Sequence, residues 1–142
     1  QEHTAWDLYG GVGLFVPVLA HAVQGKVISV DYSPAATAGE QAGLADCDVE
    51  VKSAKVEQVA AQLPKPGAVV LDPPRTGAGE DVIRSVAAAA PQAVVHVGCD
   101  PATFARDLGY WNRHGYGIEK MALINAFPGT HHFETIALIT PA

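Results

Sequence analysis

Cysteine is scarce in this chain: Cys47 and Cys99 are the only two, 52 positions apart and in no CxxC pair. A disulfide scaffold and a zinc site both need more cysteines at closer spacing, so both are excluded; no metal is expected and the setting reads as reducing and cytoplasmic. Basic residues are also few, 9 against 15 acidic, for a net charge of −6. The four arginines stand isolated and the five lysines are scattered. A surface that grips nucleic acid by neutralising phosphates needs clustered Lys and Arg, so composition argues against autonomous RNA or DNA binding. Charged residues total only 17% against 49% apolar, which excludes a disordered chain. A membrane span is missing too. The longest uncharged run, Leu8 to Gly25, is broken by four glycines, Pro17, His21 and Gln24.

What is present is an alternation. Short apolar β-branched runs are each followed by an alanine-rich helical segment: Ala5–Tyr9 then Gly13–Val23, Val27–Asp31 then Pro34–Ala42, Asp48–Val51 then Lys55–Leu63. Ala68–Leu71 then Glu80–Ala90, and Ala93–Val97 then Pro101–His114, continue it. Strands this apolar suit a sheet covered on both faces by helices. Ile118–Ile124 and Phe133–Ile139 then read as two strands with no helix between them. The expected fold is α/β, one domain over residues 1–142, with a seven-stranded, mostly parallel sheet carrying one antiparallel strand near its edge. Doubly wound sheets bind ligands beyond the carboxyl ends of their strands, so functional residues should follow each strand directly.

They do. The first strand runs into Asp7-Leu8-Tyr9-Gly10-Gly11-Val12-Gly13. Val16 stands where a dinucleotide fingerprint needs glycine, and no Gly-Lys-Ser/Thr ending makes a phosphate loop. The remaining pattern is one that meets a nucleoside without phosphates. Asp31 ends the second strand, 18 residues after Gly13, where a carboxylate can accept from both ribose hydroxyls. Its competing reading is a cap for the helix that opens at Ser33-Pro34. The fourth strand ends in Asp72-Pro73-Pro74-Arg75-Thr76-Gly77, whose prolines hold Asp72 rigidly at the edge. The fifth runs into Gly98-Cys99-Asp100-Pro101. Asp100 reads as an N-cap and Pro101 as the first helical residue, which places Cys99 at the positive end of a helix dipole, where thiolate is favoured. The bland alternative is a small buried hydrophobe. In Phe127-Pro128-Gly129-Thr130-His131-His132-Phe133-Glu134, alternation puts Glu134 on the face of Ile136 and Leu138. A carboxylate on an apolar face tends towards a raised pKa and suits a general base; an exposed strand end is the alternative.

These segments together resemble the catalytic domain of the RNA 5-methyluridine methyltransferases, which act on tRNA or rRNA. The resemblance rests on the glycine loop, Asp72-Pro73-Pro74-Arg75-x-Gly77, Cys99-Asp100-Pro101-Ala102-Thr103-x-x-Arg106-Asp107 and Phe127-Pro128-x-Thr130-x-His132-x-Glu134, and spans nearly the whole chain. It implies a Rossmann-like class I S-adenosyl-L-methionine-dependent methyltransferase fold. It also implies Cys99 as nucleophile, Glu134 as proton acceptor and Asp72 as a further catalytic residue. Tyr9, Gly10, Gly11, Gly13, Asp31 and Asp72 would hold the S-adenosyl-L-methionine. Gly11, Gly98, Asp100 and Asn125-Ala126 depart from the family pattern, with serine usual at the position of Gly98 and asparagine common at that of Asp100.

Family members also carry an amino-terminal RNA-binding barrel and an intervening segment, so RNA is expected as the partner of a longer protein, with weak RNA binding by these 142 residues alone. Two other classes compete: a methyltransferase of a small molecule or protein, which leaves the pair Cys99 and Glu134 unexplained, and a non-catalytic cofactor-binding domain.

Overall fold

The structure is a computed structural model and describes residues 4–9, 26–30, 49–52, 55, 58, 62–98, 100–125 and 133–142. Seven strands form one sheet: β1 (Thr4–Leu8), β2 (Lys26–Val30), β3 (Val49–Lys52), β4 (Ala68–Leu71), β5 (Ala93–Gly98), β6 (Tyr116–Asn125) and β7 (Phe133–Pro141). Their order is β3-β2-β1-β4-β5-β7-β6. The pairs from β3 through β5 are parallel, and β7 runs antiparallel to both β5 and β6. The expected architecture is therefore present. The chain winds outward one way from β1 through β2 to β3 and the other way from β4, so the topological switch lies between β1 and β4.

Burial explains why these segments are strands. All five residues of β1 are buried, as are Val27 to Val30 and Val69 to Leu71. Two helices pack beside one another on this core, α1 (Glu80–Ala88) and α2 (Pro101–Arg113). From α1 come Val82, Ile83 and Val86; from α2 come Phe104 and Trp111, which meet Val94, Ala137 and Ile139. Each such aliphatic side chain contributes about 1.5–3 kcal/mol on full burial. The polar ends of the large aromatics are satisfied: Trp6 Nε1 donates to Pro64 O at 3.0 Å and the Tyr116 hydroxyl to Pro91 O at 2.7 Å. No helix among the described residues is long and apolar enough to cross a membrane.

Element ends differ from expectation for local reasons. Tyr9 leaves β1 because its backbone is left-handed, φ 60°. α1 stops at Ala88 rather than Ala90, since Ala89 and Ala90 donate to carbonyls three residues back and Ala90 has φ 57° ahead of Pro91. β6 and β7 extend further than expected because Tyr116 pairs with Pro141, across an irregularity between Ile118 and Lys120. The helices expected over Gly13–Val23 and Pro34–Ala42 lie outside the described residues, as does most of Lys55–Leu63. At the start of α2 the expected cap is present: Asp100 accepts from Ala102 N at 2.9 Å and Thr103 N at 3.4 Å, with Pro101 in the first turn.

One departure from the family pattern has a steric cause. A Cβ on Gly98 would run into the ring of Phe104, which stands edge-on to His96 at 5.5 Å. Gly98→Ser should therefore cost about 1–3 kcal/mol through overpacking. Phe104→Leu in the same chain should recover part of that loss. Thermal denaturation of the single and double variants measures both, and a Gly98→Ser protein as stable as the parent would refute the packing account.

Candidate active site

The residues that follow the strands converge on one edge of the sheet. Tyr9, just past β1, is half-buried against the core and donates its backbone N–H to Val30 O at the end of β2, 2.8 Å away. Its left-handed backbone turns the chain sharply at the switch point, where most non-glycine residues would be strained. On the other side of the switch, Asp72 donates its N–H to Leu8 O at 3.3 Å, so β1 is tied at its carboxyl end to both neighbours. Asp72 is half-buried and the next residue, Pro73, is buried.

Glu134 reaches the same edge from the opposite direction. Because β7 is antiparallel, its first residues lie at the carboxyl end of β5: Thr135 pairs with Gly98, and Glu134 pairs with Ile124. Glu134 does share a face with Ile136 and Leu138, but these are themselves half-buried. The fully buried residues of β7 are Ala137 and Ile139 on the other face, against the aromatic side chains of α2. Glu134 thus stands in line with Ile136 and Leu138, as alternation expects, on the less buried face of β7. The carboxyl of Asp72 is pushed above its ordinary value, first by burial and then by the like charge of Glu134, with His96 acting the other way. Gly10, Gly11, Gly13, Asp31 and Cys99 lie outside the described residues. Tyr9, next to Gly10, Val30, next to Asp31, and Gly98 and Asp100, on either side of Cys99, are described and stand at this edge.

A second group includes Arg106 and Asp107, which the resemblance quoted in its motif without giving them a role. Asp107 is completely buried, yet it sits on the apolar face of α2 between Phe104 and Trp111. Its oxygens accept from Ala78 N at 2.7 Å, Gly79 N at 3.3 Å and Arg106 Nη2 at 3.2 Å. His96 Nε2 stands 3.5 Å away. Trp111 Nε1 donates to His96 Nδ1 at 2.9 Å, which leaves the ring N–H at Nε2, facing Asp107. Burial works against the Asp107 charge, but the bonds from His96, Ala78 N–H and Arg106 outweigh it and hold the carboxyl below its ordinary range. The same group explains Gly77: its φ is +84°, and a Cβ there would stand 2.6 Å from Arg106 Nη2 and 2.7 Å from Asp107 Oδ2. The signal in the sequence was an aspartate three residues after one core aromatic and four before another, a spacing that shares one helix face.

Comparison with known proteins fits this arrangement. The family described as tRNA (uracil-5-)-methyltransferase matches residues 54–141. An uncharacterized RNA methyltransferase of Corynebacterium glutamicum is 58% identical over 135 residues, covering 94% of this chain and 32% of that protein. A counterpart from Streptomyces coelicolor is 39% identical over 146 residues, covering 97% and 31%. The chain thus spans about a third of the length of the curated relatives it matches. Among solved structures, the tRNA (uracil-54, C5)-methyltransferase of Pyrococcus abyssi, in complex with S-adenosyl-L-homocysteine, aligns with a TM-score of 0.83 at 27% identity, covering 99% of this chain and 35% of that one. The magnesium protoporphyrin IX methyltransferase of Synechocystis, with bound S-adenosylmethionine, aligns at a TM-score of 0.72 and 19% identity over 99% of this chain and 71% of that one, and shares the fold. On the residues matched and the identity to these relatives, the chain belongs to the tRNA (uracil-5-)-methyltransferase family.

Proposed function

We propose that this chain is the catalytic part of an S-adenosyl-L-methionine-dependent RNA (uracil-5-)-methyltransferase, acting at C5 of a uridine in tRNA or rRNA. The observation that carries the reading is the arrival of both Asp72 and Glu134 at the carboxyl edge, beside the end of β5 from which Cys99 follows. The cofactor fits the same edge: a left-handed turn at Tyr9 and a half-buried carboxyl at Asp72 flank the switch point between β1 and β4. Tyr9, Gly10, Gly11, Gly13, Asp31 and Asp72 would hold it. When bound, it supplies an electrophilic sulfonium methyl group.

The protein's own residues do the rest. Uracil C5 is a poor nucleophile, so the Cys99 thiolate first adds to C6 and converts the ring to an enolate. C5 then takes the methyl group, and its remaining proton becomes acidic beside the C4 carbonyl. Glu134 accepts that proton, the C5–C6 double bond re-forms and Cys99 leaves as thiolate. One residue opens the reaction and the other closes it. Asp72 faces both the cofactor and the target base. With a net charge of −6, the chain leaves the grip on RNA to other parts of a longer protein.

Three outcomes are expected. RNA containing 5-fluorouridine should trap the full-length protein as a covalent adduct, since fluorine at C5 blocks the final proton removal. Cys99→Ala should abolish the adduct, while Glu134→Gln should still form it and slow turnover about 10²–10⁴-fold. Absence of the adduct in the parent, or methyl transfer that survives Cys99→Ala, would sink the reading. The 142 residues alone should bind RNA weakly in a filter assay at 0.15 M salt (about physiological); tight, salt-sensitive binding would contradict the division of labour.

The third concerns Asp72. Its raised folded pKa means the native state resists ionisation, so the stability it forfeits is absent below the ordinary value of 3.8 and grows as pH rises through the folded one. Asp72→Asn should accordingly raise the melting temperature at neutral pH, with the gain vanishing in acid. A gain independent of pH would show that ionisation is not its source.

A further inference from the structure

Five consecutive backbone positions after Asp72 have a polar group engaged, and four of them are engaged by side chains of a single helix. Thr103 Oγ1 donates to Arg75 O at 2.9 Å and Arg106 Nη2 to Thr76 O at 2.8 Å. Asp107 accepts from Ala78 N at 2.7 Å and from Gly79 N at 3.3 Å. The remaining position, Gly77, donates within the loop to Pro74 O at 2.8 Å. At its other end the loop is fixed by the bond from Asp72 N to Leu8 O. Thr103, Arg106 and Asp107 fall on one face of α2 over its first two turns. That helix begins at Pro101, two residues after Cys99 in the chain, and its cap is Asp100.

We propose that Thr103, Arg106 and Asp107 are positioning residues of the reaction, holding the loop of residues 72–79 to the first turns of α2 so that Asp72 keeps a set distance from the Cys99 end of that helix. The inference rests on the reading of Cys99 and Asp72 given above. A loop that served only to connect β4 to α1 would need no buried carboxylate, because water satisfies exposed loop backbone at no such cost. Here Asp107 is fully buried and is oriented from behind by His96 and Trp111. Arg106 spans both parts, donating to the loop and to Asp107 while lying over the Tyr110 ring at 5.7 Å. Rigid support of this kind matters in catalysis because a displacement of about 1 Å can cost about 10²-fold in rate.

The test uses the full-length protein, with RNA and S-adenosyl-L-methionine as substrates and S-adenosyl-L-homocysteine as the binding probe. Thr103→Val keeps the shape and removes the bond to Arg75 O; it should lower kcat by about tenfold to a hundredfold. KM for RNA and the Kd of S-adenosyl-L-homocysteine should stay within about twofold of the parent, with an unchanged stoichiometry of S-adenosyl-L-homocysteine binding, which loss of folded protein would lower. Thr103→Ser, which restores the hydroxyl, should return kcat to near the parental value. Asp107→Asn should act in the same direction and further, with circular dichroism at the assay temperature reporting the folded fraction. A folded Thr103→Val protein with parental kcat, or one that Ser does not rescue, overturns the positioning role. A parent that forms no adduct with 5-fluorouridine RNA overturns the reading of the site, and the positioning role with it.

Discussion

A single buried carboxylate joins three parts of this molecule: the loop ahead of α1, the helix α2 and the strand β5. Taking Asp107 out of water costs several kcal/mol, and the cost is offset only because its oxygens meet two backbone N–H groups, a guanidinium and an imidazole N–H. Two of those donors lie immediately before α1, where a negative charge also complements the amino end of the helix dipole. Gly79, the capping residue of α1, has no side chain with which to cap, so the cap is lent by the neighbouring helix. The arrangement also decides local sequence: only a residue without Cβ passes between Arg106 and Asp107 at position 77.

Charge at the sheet edge follows from topology. Parallel strands deliver Tyr9 and Asp72 to one rim, and the single antiparallel strand delivers Glu134 to the same rim without a crossover connection. Two half-buried carboxyls thereby share one rim, and burial together with the like charge of Glu134 disfavours the ionised form of Asp72. The chain thus carries acidity at the carboxyl rim of its sheet as well as on its surface.

Much of the fold was legible because β-branched runs buried on both faces leave little ambiguity: Val27–Val30, Val69–Leu71 and Val94–Val97 were all read as strands. The cap at Asp100 and Pro101 was equally plain, since each residue type has one good place at a helix start. Asp107 was quoted in a motif, but its burial and role were not legible, because polar residues on a helix are ordinarily assigned to solvent and two of its partners are backbone groups 28 and 29 positions away. The face of Glu134 was assigned by alternation correctly, but alternation does not say which face a helix will cover; α2 covers the one bearing Ala137 and Ile139. Of the site residues, Tyr9, Asp72 and Glu134 stand where the strand ends put them, whereas Gly10, Gly11, Gly13, Asp31 and Cys99 fall outside the described residues.

The placement of β7 bears on how the molecule is made. It is the last of the seven strands in the chain, yet it lies inside the sheet, between β5 and β6. A nascent chain halted before Phe133 leaves the flank of β5 open and has no Glu134 to present, however well the earlier strands have formed. Closing the rim therefore waits on β7, and a chain cut short ahead of that strand keeps β5 while lacking the carboxyl of Glu134.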